Sequence, residues 1–283
     1  GKPYVSPAGV AHFLEHKMFD LPDGNALQMM SCTGASPNAF TAYHITAYHF
    51  SCTDSFQENF ELLLRFVSEG YFTQESVEKE RGIISQEIKM YEDNPGSRVD
   101  ENLYRAMYHH HPIRVPIAGT VESIQDITAQ ILTDCHRAFY DPSNMVLCVV
   151  GDVDPENIRD TALRILPKEP GGASDRDYGE PEPETPKQHL ITQGMEVAMP
   201  MFSVGFKGKP IPKGAQRLRQ EIIGDLAGEV LCGESSRLYQ KLYEDGLIDS
   251  GFAVGYATVR ELAMLCLGGD SEKPQAVLDA VLE

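Results

Sequence analysis

No stretch of this chain approaches the ~18 consecutive apolar residues that a membrane-spanning helix needs, so nothing in it reads as a transmembrane segment. Basic residues are scarce as well: 24 Lys and Arg stand against 42 Asp and Glu, for a formal net charge of -18. So acidic a surface repels phosphate backbones and anionic headgroups, which argues against nucleic acid or a membrane as partner. It mildly favours cationic peptides, although a solvated acidic exterior is the simpler reading. The six cysteines, at positions 32, 52, 135, 148, 232 and 266, include no C-x-x-C pair and form no dense framework. Free thiols in a reducing cytoplasm are expected; a Cys32–Cys52 bridge across a hairpin-like stretch is the alternative. What is present, 42% hydrophobic and 23% charged residues over 283 positions, suits a globular chain with room for two cores.

The chemistry concentrates at Ala11-His12-Phe13-Leu14-Glu15-His16-Lys17. In a helix, His12 and His16 stand one turn apart on one face, where two neutral imidazoles can close on one zinc ion. Glu15 then lies beside the metal as the general base. The order H-x-x-E-H inverts the commoner H-E-x-x-H but brings the same side chains together. Apolar Val10, Phe13, Leu14, Met18 and Phe19 surround much of the cylinder, which predicts a helix over 8–19 buried on several sides.

A hydrolytic zinc site needs a third protein ligand and a position open to water. Residues 74–92 read as the helix that supplies it: Thr73 can cap the start, Val77, Ile84, Ile88 and Tyr91 recur at helical spacing, and Asn94-Pro95-Gly96 stops it. Glu80 and Glu87 lie about two turns apart and share one side. Glu87 is assigned as the third ligand. Glu80, counted with Glu15 as catalytic, orients His16 or hydrogen-bonds the water.

These residues, together with Asn38-Ala39-Phe40-Thr41, HPIRVPIAGTVESI and FYDPSNMVLCVVGDVD, resemble the pitrilysin or insulinase family of zinc metallopeptidases, which includes insulin-degrading enzyme and the mitochondrial processing peptidase. The resemblance covers most of residues 8–165, with a weaker trail beyond, and looks nearest to bacterial members of the two-domain branch. It implies an α+β fold of two related αβ-roll domains, each a mixed or antiparallel sheet covered by helices, with the zinc site in the first. It implies one Zn2+ per chain and a peptide substrate that adds as a strand to Asn38, Ala39, Phe40 and Thr41 by backbone pairing. For Phe40 alone, an ordinary buried strand position is the preferred reading. A homo- or heterodimer with a related subunit is a further implication. The family often carries an Arg and a Tyr near GLIDSGF to steady the substrate; here Asp249 stands where the Tyr would, and the Arg is not evident.

Residues 1–167 are expected to form the zinc-bearing domain and 189–283 its metal-free copy. Between them, 168–188 reads as an extended, outward linker rich in Pro, Gly and charge. Gly1 opens eleven residues before His12, whereas the resembled family places strands ahead of its motif, and PQAVLDAVLE stops within a helical pattern, so both ends are expected to be incomplete. Further helices are expected at 25–33, 55–70, 97–110, 121–140 and 155–166, and at 217–233 in the second domain. Strands are expected within 38–50 and in the apolar run 145–153, with strand character resuming at 189–208. Neighbouring His109, His110 and His111 point in different directions on a helix, which favours structural or surface roles over a second metal site. The expected function is zinc-dependent endopeptidase, with a bacterial cytoplasmic location. A non-catalytic or partner-dependent subunit of a heteromeric peptidase is the alternative.

Overall fold

The computed structural model describes residues 4–166, 175–177, 179–209, 214–260 and 262–283. The chain divides into two compact units, one formed by 1–88 and 116–177 and the other by 89–115 and 178–283. The helices in chain order are α1 (Val10–Met18), α2 (Ala26–Cys32), α3 (Phe56–Ser68), α4 (Gln74–Glu92), α5 (Pro95–Met107), α6 (Ala129–Phe139), α7 (Pro155–Ile165), α8 (Ala215–Cys232), α9 (Arg237–Glu244) and α10 (Pro274–Leu282). The strands are β1 (Asp20–Leu21), β2 (Gly24–Asn25), β3 (Ser36–Thr41), β4 (Thr46–Ser51), β5 (Met201–Lys207), β6 (Ala253–Val259) and β7 (Leu262–Asp270). Every strand pairing among the described residues is antiparallel, in keeping with the α+β class.

In the first unit, Phe13, Leu14 and Met18 of α1 enter a core shared with Met30, Phe66, Val77, Ile84, Ile88, Ile124, Ile127 and Leu132. Full burial of such side chains is worth roughly 1.5–3 kcal/mol each, enough to fix how α1 and α4 face one another. On α4, Val77, Glu80, Ile84, Glu87 and Ile88 fall on one stripe at three- and four-residue spacing, so the two glutamates are carried inward by the core residues between them. Thr73 caps the helix through the Ser76 N–H at 3.2 Å. Tyr91, expected on the apolar stripe, is instead exposed, because the stripe has run past the core by the last turn. Arg81 fastens α4 to the 124–127 segment, its guanidinium donating to the carbonyls of Ile124 (3.2 Å) and Ile127 (2.7 Å).

The hairpin of β3 and β4 pairs Asn38 with His49, Ala39 with Tyr48 and Thr41 with Thr46. The second unit holds a three-stranded sheet in the order β5-β7-β6 over a core of Leu242, Ile248, Phe252, Leu267 and Val277. Against it, α8 turns a small and polar face, with Gln220 reaching the Tyr256 hydroxyl at 3.0 Å and Arg217 the Thr258 hydroxyl at 2.9 Å.

Several expectations are corrected. Residues 145–150 form no strand, and Val146 and Val150 are more than nine-tenths exposed. Apolar, β-prone composition cannot supply a neighbouring strand, and none lies beside this run among the described residues. Residues 121–140 are one short 3-10 turn (Ser123–Asp126) followed by α6, because Thr128 caps a new helix through the Ile131 N–H at 3.2 Å. In 189–208 only β5 is a strand. Part of the expected linker, residues 168–174 and 178, lies outside the described residues. Farther along, Glu182 is anchored rather than outward. Its carboxylate accepts from the N–H groups of His109 (2.5 Å), His110 (2.9 Å) and His111 (3.0 Å) and from Lys207 Nζ (3.2 Å). Burial works against that charge, yet the backbone donors and Lys207 hold its pKa down to about 2. The three histidines therefore serve this cradle through their main chain.

The start of α1 depends on a close backbone approach. Gly9 has φ +89°, a side chain there would collide with the Ala118 carbonyl, and Gly119 (φ +74°) makes the reciprocal approach to Ala8. Gly9→Ala should therefore destabilise the first unit by roughly 2–4 kcal/mol, combining left-handed strain with overpacking. Denaturant unfolding measures it, and a loss below about 0.5 kcal/mol would contradict this packing.

Candidate metal centre

His12 and His16 leave α1 on one face with ring centroids 4.7 Å apart. Both turn their Nε2 atoms toward Glu87 of α4: His12 Nε2 lies 3.4 Å from Glu87 Oε1, and His16 Nε2 lies 3.4 Å from Oε2. One ligand atom from each of the three lies within 4.8 Å of the others, and among the described residues no other His, Cys, Asp or Glu group meets that standard. The donor set fits zinc. Tetrahedral bonds of ~2.0–2.1 Å place neighbouring ligand atoms ~3.3–3.4 Å apart, and imidazole nitrogen with carboxylate oxygen is a common zinc combination. None of the six cysteines belongs to the group, and all six are free thiols.

The surroundings of the two imidazoles differ. His16 Nδ1 is 3.0 Å from Glu80 Oε1, which fixes its ring and leaves Nε2 facing the site. His12 Nδ1 is buried and without a hydrogen-bond partner, so that ring is held by packing and by Glu87 at Nε2 alone. The hydrogen bond that His16 Nδ1 donates to Glu80 raises the His16 pKa above the ordinary histidine value, whereas burial lowers that of His12. Glu80 has a second neighbour in Lys17 Nζ at 4.0 Å; this nearly inaccessible lysine pairs closely with Asp20.

Glu15, one residue before His16, stands outside the three-ligand group, and its Oε2 accepts a short hydrogen bond from the Thr41 hydroxyl. Behind it, the hydroxyls of Tyr48 and Tyr140 meet at 2.6 Å. Burial raises both phenols, that of Tyr140 to about 12, which keeps the pair neutral beside the carboxylate. Neither tyrosine was singled out by sequence reasoning, and positions 92 residues apart offer no spacing signal.

The four residues Asn38, Ala39, Phe40 and Thr41 all lie on β3, whose other edge carries no strand among the described residues. Ala42 N–H donates to Ile45 O at 2.8 Å, which sets the alternation of the ladder. Phe40 and Asn38 then bond to β4, while the main-chain groups of Ala39 and Thr41 face the open edge. In accord, Ala39 N–H donates to its neighbour's side chain, Asn38 Oδ1 at 2.8 Å. Phe40 is half exposed, not buried, because it lies on the outer face of the hairpin. Asp249, in the second unit, closes a turn by accepting from Gly251 N–H at 2.7 Å.

Two family models match the chain: Insulinase (Peptidase family M16) over residues 5–121 and Peptidase M16 inactive domain over 126–283. His12, Glu15, His16, Glu80 and Glu87 all fall in the first. The "Uncharacterized zinc protease YmfH" of Bacillus subtilis is 41% identical over 280 residues, covering 97% of this chain and 65% of that protein. A second B. subtilis protein, "Uncharacterized zinc protease YmxG", is 29% identical over 92% of this chain and 63% of its own length. The chain thus spans less than two thirds of these relatives. The "Crystal structure of putative M16-like peptidase from Alicyclobacillus acidocaldarius" matches with a TM-score of 0.93 and 37% identity, over 100% of this chain and 67% of that one.

The contrast between the two imidazoles can be read directly. In the metal-free chain, His16 should titrate above His12 in histidine NMR spectra, and Glu80→Gln should lower the His16 value while leaving His12 nearly in place. A His16 pKa indifferent to Glu80→Gln would contradict the hydrogen-bond account.

Proposed function

The chain belongs to the insulinase family of peptidases, M16, and on that premise we propose that it is a zinc-dependent endopeptidase acting on peptides or unfolded segments. The observation that carries this reading is the convergence of His12, His16 and Glu87 from two helices, with Glu15 beside them but not among the ligands. Bound zinc would supply Lewis acidity, lowering the pKa of water to ~7 and polarising the scissile carbonyl.

The protein's own groups provide the rest. Glu15, held at Oε2 by Thr41, keeps Oε1 to take a proton from the attacking water and pass it to the leaving amine. Glu80 holds His16 in the orientation that presents Nε2. The open edge of β3 offers the main-chain groups of Ala39 and Thr41 to an extended peptide. That mode of pairing would give loose sequence preference, since backbone hydrogen bonds ignore side chains. The net charge of -18 argues against nucleic acid as a partner, and among the described residues no helix is long and apolar enough to cross a membrane.

A second reading rests on Asp249, which occupies the place where the resembled motif carries a substrate-steadying Tyr and instead ties its own turn. On that reading a related subunit, as a homo- or heterodimer partner, supplies the missing groups. Peptidase activity that rises from near zero only when such a subunit is added would favour it over the self-sufficient enzyme.

Glu15→Gln tests the catalytic assignment. Zinc content should stay near that of the unaltered chain while peptide hydrolysis falls by ~10²–10⁴-fold, because the base is lost and the ligands remain. Near-normal turnover would contradict Glu15 as the base. Glu80→Gln should cost less, ~10–100-fold in activity or zinc affinity.

A further inference from the structure

We propose that Thr41 is a positioning residue for Glu15, joining the open edge of β3 to the general base through a single residue. The inference rests on the endopeptidase reading above and deepens it. Asn38, Ala39, Phe40 and Thr41 enter that reading as a strand, through their main chain, yet the Thr41 side chain is engaged elsewhere. Its hydroxyl donates to Glu15 Oε2 across the gap between β3 and α1.

A hydroxyl has one proton to give. Because Thr41 gives its proton to a carboxylate, its contact with Thr46 Oγ1 at 3.3 Å requires Thr46 to be the donor there. Thr46 lies directly across the hairpin from Thr41, at a non-hydrogen-bonded position where facing side chains approach most closely. The result is a directed chain, Thr46 to Thr41 to Glu15, in which each bond polarises the next. It fixes one oxygen of Glu15 and leaves Oε1 for the reacting water.

The backbone of Thr41 meanwhile faces the open edge, so a peptide pairing there fixes the residue that aims the base. Alignment of the substrate and alignment of Glu15 are thereby linked. The sequence marks Thr41 only through its main chain, as the end of the Asn38–Thr41 strand, and says nothing of its hydroxyl. Only the fold, by seating β3 beside α1, gives it the carboxylate.

The test uses the full zinc-loaded chain and a short internally quenched peptide. Thr41→Val keeps the shape and removes the hydroxyl; kcat should fall ~10–100-fold, as for other supporting partners of a metal site, with KM within about twofold and zinc content unchanged. Thr41→Ser, which restores the donor, should recover kcat to within about threefold. A second readout is independent of turnover: in crystals of the metal-free variants, Glu15 should leave its position in Thr41→Val and keep it in Thr41→Ser. A kcat for Thr41→Val within twofold of wild type, a loss confined to KM, or a Glu15 unmoved by the valine would overturn the proposal. Absence of hydrolysis by the wild-type chain would instead refute the endopeptidase reading, and displacement of Glu15 in Thr41→Val would still support the positioning role.

Discussion

A carboxylate brought from one helix to lie between two imidazoles of another is the constraint on which the first unit turns. Glu87 sits 3.4 Å from Nε2 of both His12 and His16, although 71 residues separate it from His16. Such a contact is too demanding to arise from the polar groups themselves, since taking a carboxylate and two imidazoles out of water costs more than their mutual attraction returns. Apolar packing does the placing. Phe13, Leu14 and Met18 of α1 and Val77, Ile84 and Ile88 of α4 occupy one core, and the ligands are interleaved with them at helical spacing. The polar cluster is thereby held open to a divalent cation, whose charge would offset the desolvation that the fold has imposed.

Around that centre the structure arranges asymmetry. Glu80 fixes His16 through Nδ1, while His12 Nδ1 is buried without a partner. Thr41 engages Glu15, and two neutral tyrosines lie behind it. On the proposed reading, one carboxylate goes to the ligand set, one to orienting a ligand and one to proton transfer. Their roles are set by position rather than by residue type.

Much of this was legible in the sequence because it is local. His12, Glu15 and His16 lie within five residues, where helical geometry alone determines which side chains share a face. Glu80 and Glu87 could be placed on one side of α4 for the same reason, with Thr73 marking its start. The assignment of Glu80 to His16 required only that the two helices meet. What the sequence did not disclose is relational: the hydroxyl of Thr41 on Glu15, the Tyr48–Tyr140 pair across 92 residues, and the anchoring of Glu182 on the main chain of His109, His110 and His111. Residues 145–150 illustrate the opposite error. Their composition is that of a buried strand, but a strand is a relation between two segments, and no neighbour lies beside them among the described residues.

X-ray absorption at the zinc edge, on the purified chain, tests the central claim most directly. The account predicts a first shell of nitrogen and oxygen only, at about 2.0–2.1 Å, with the multiple-scattering signature of two imidazoles. A sulfur scatterer near about 2.3 Å, a third imidazole, or no bound zinc at all would contradict it.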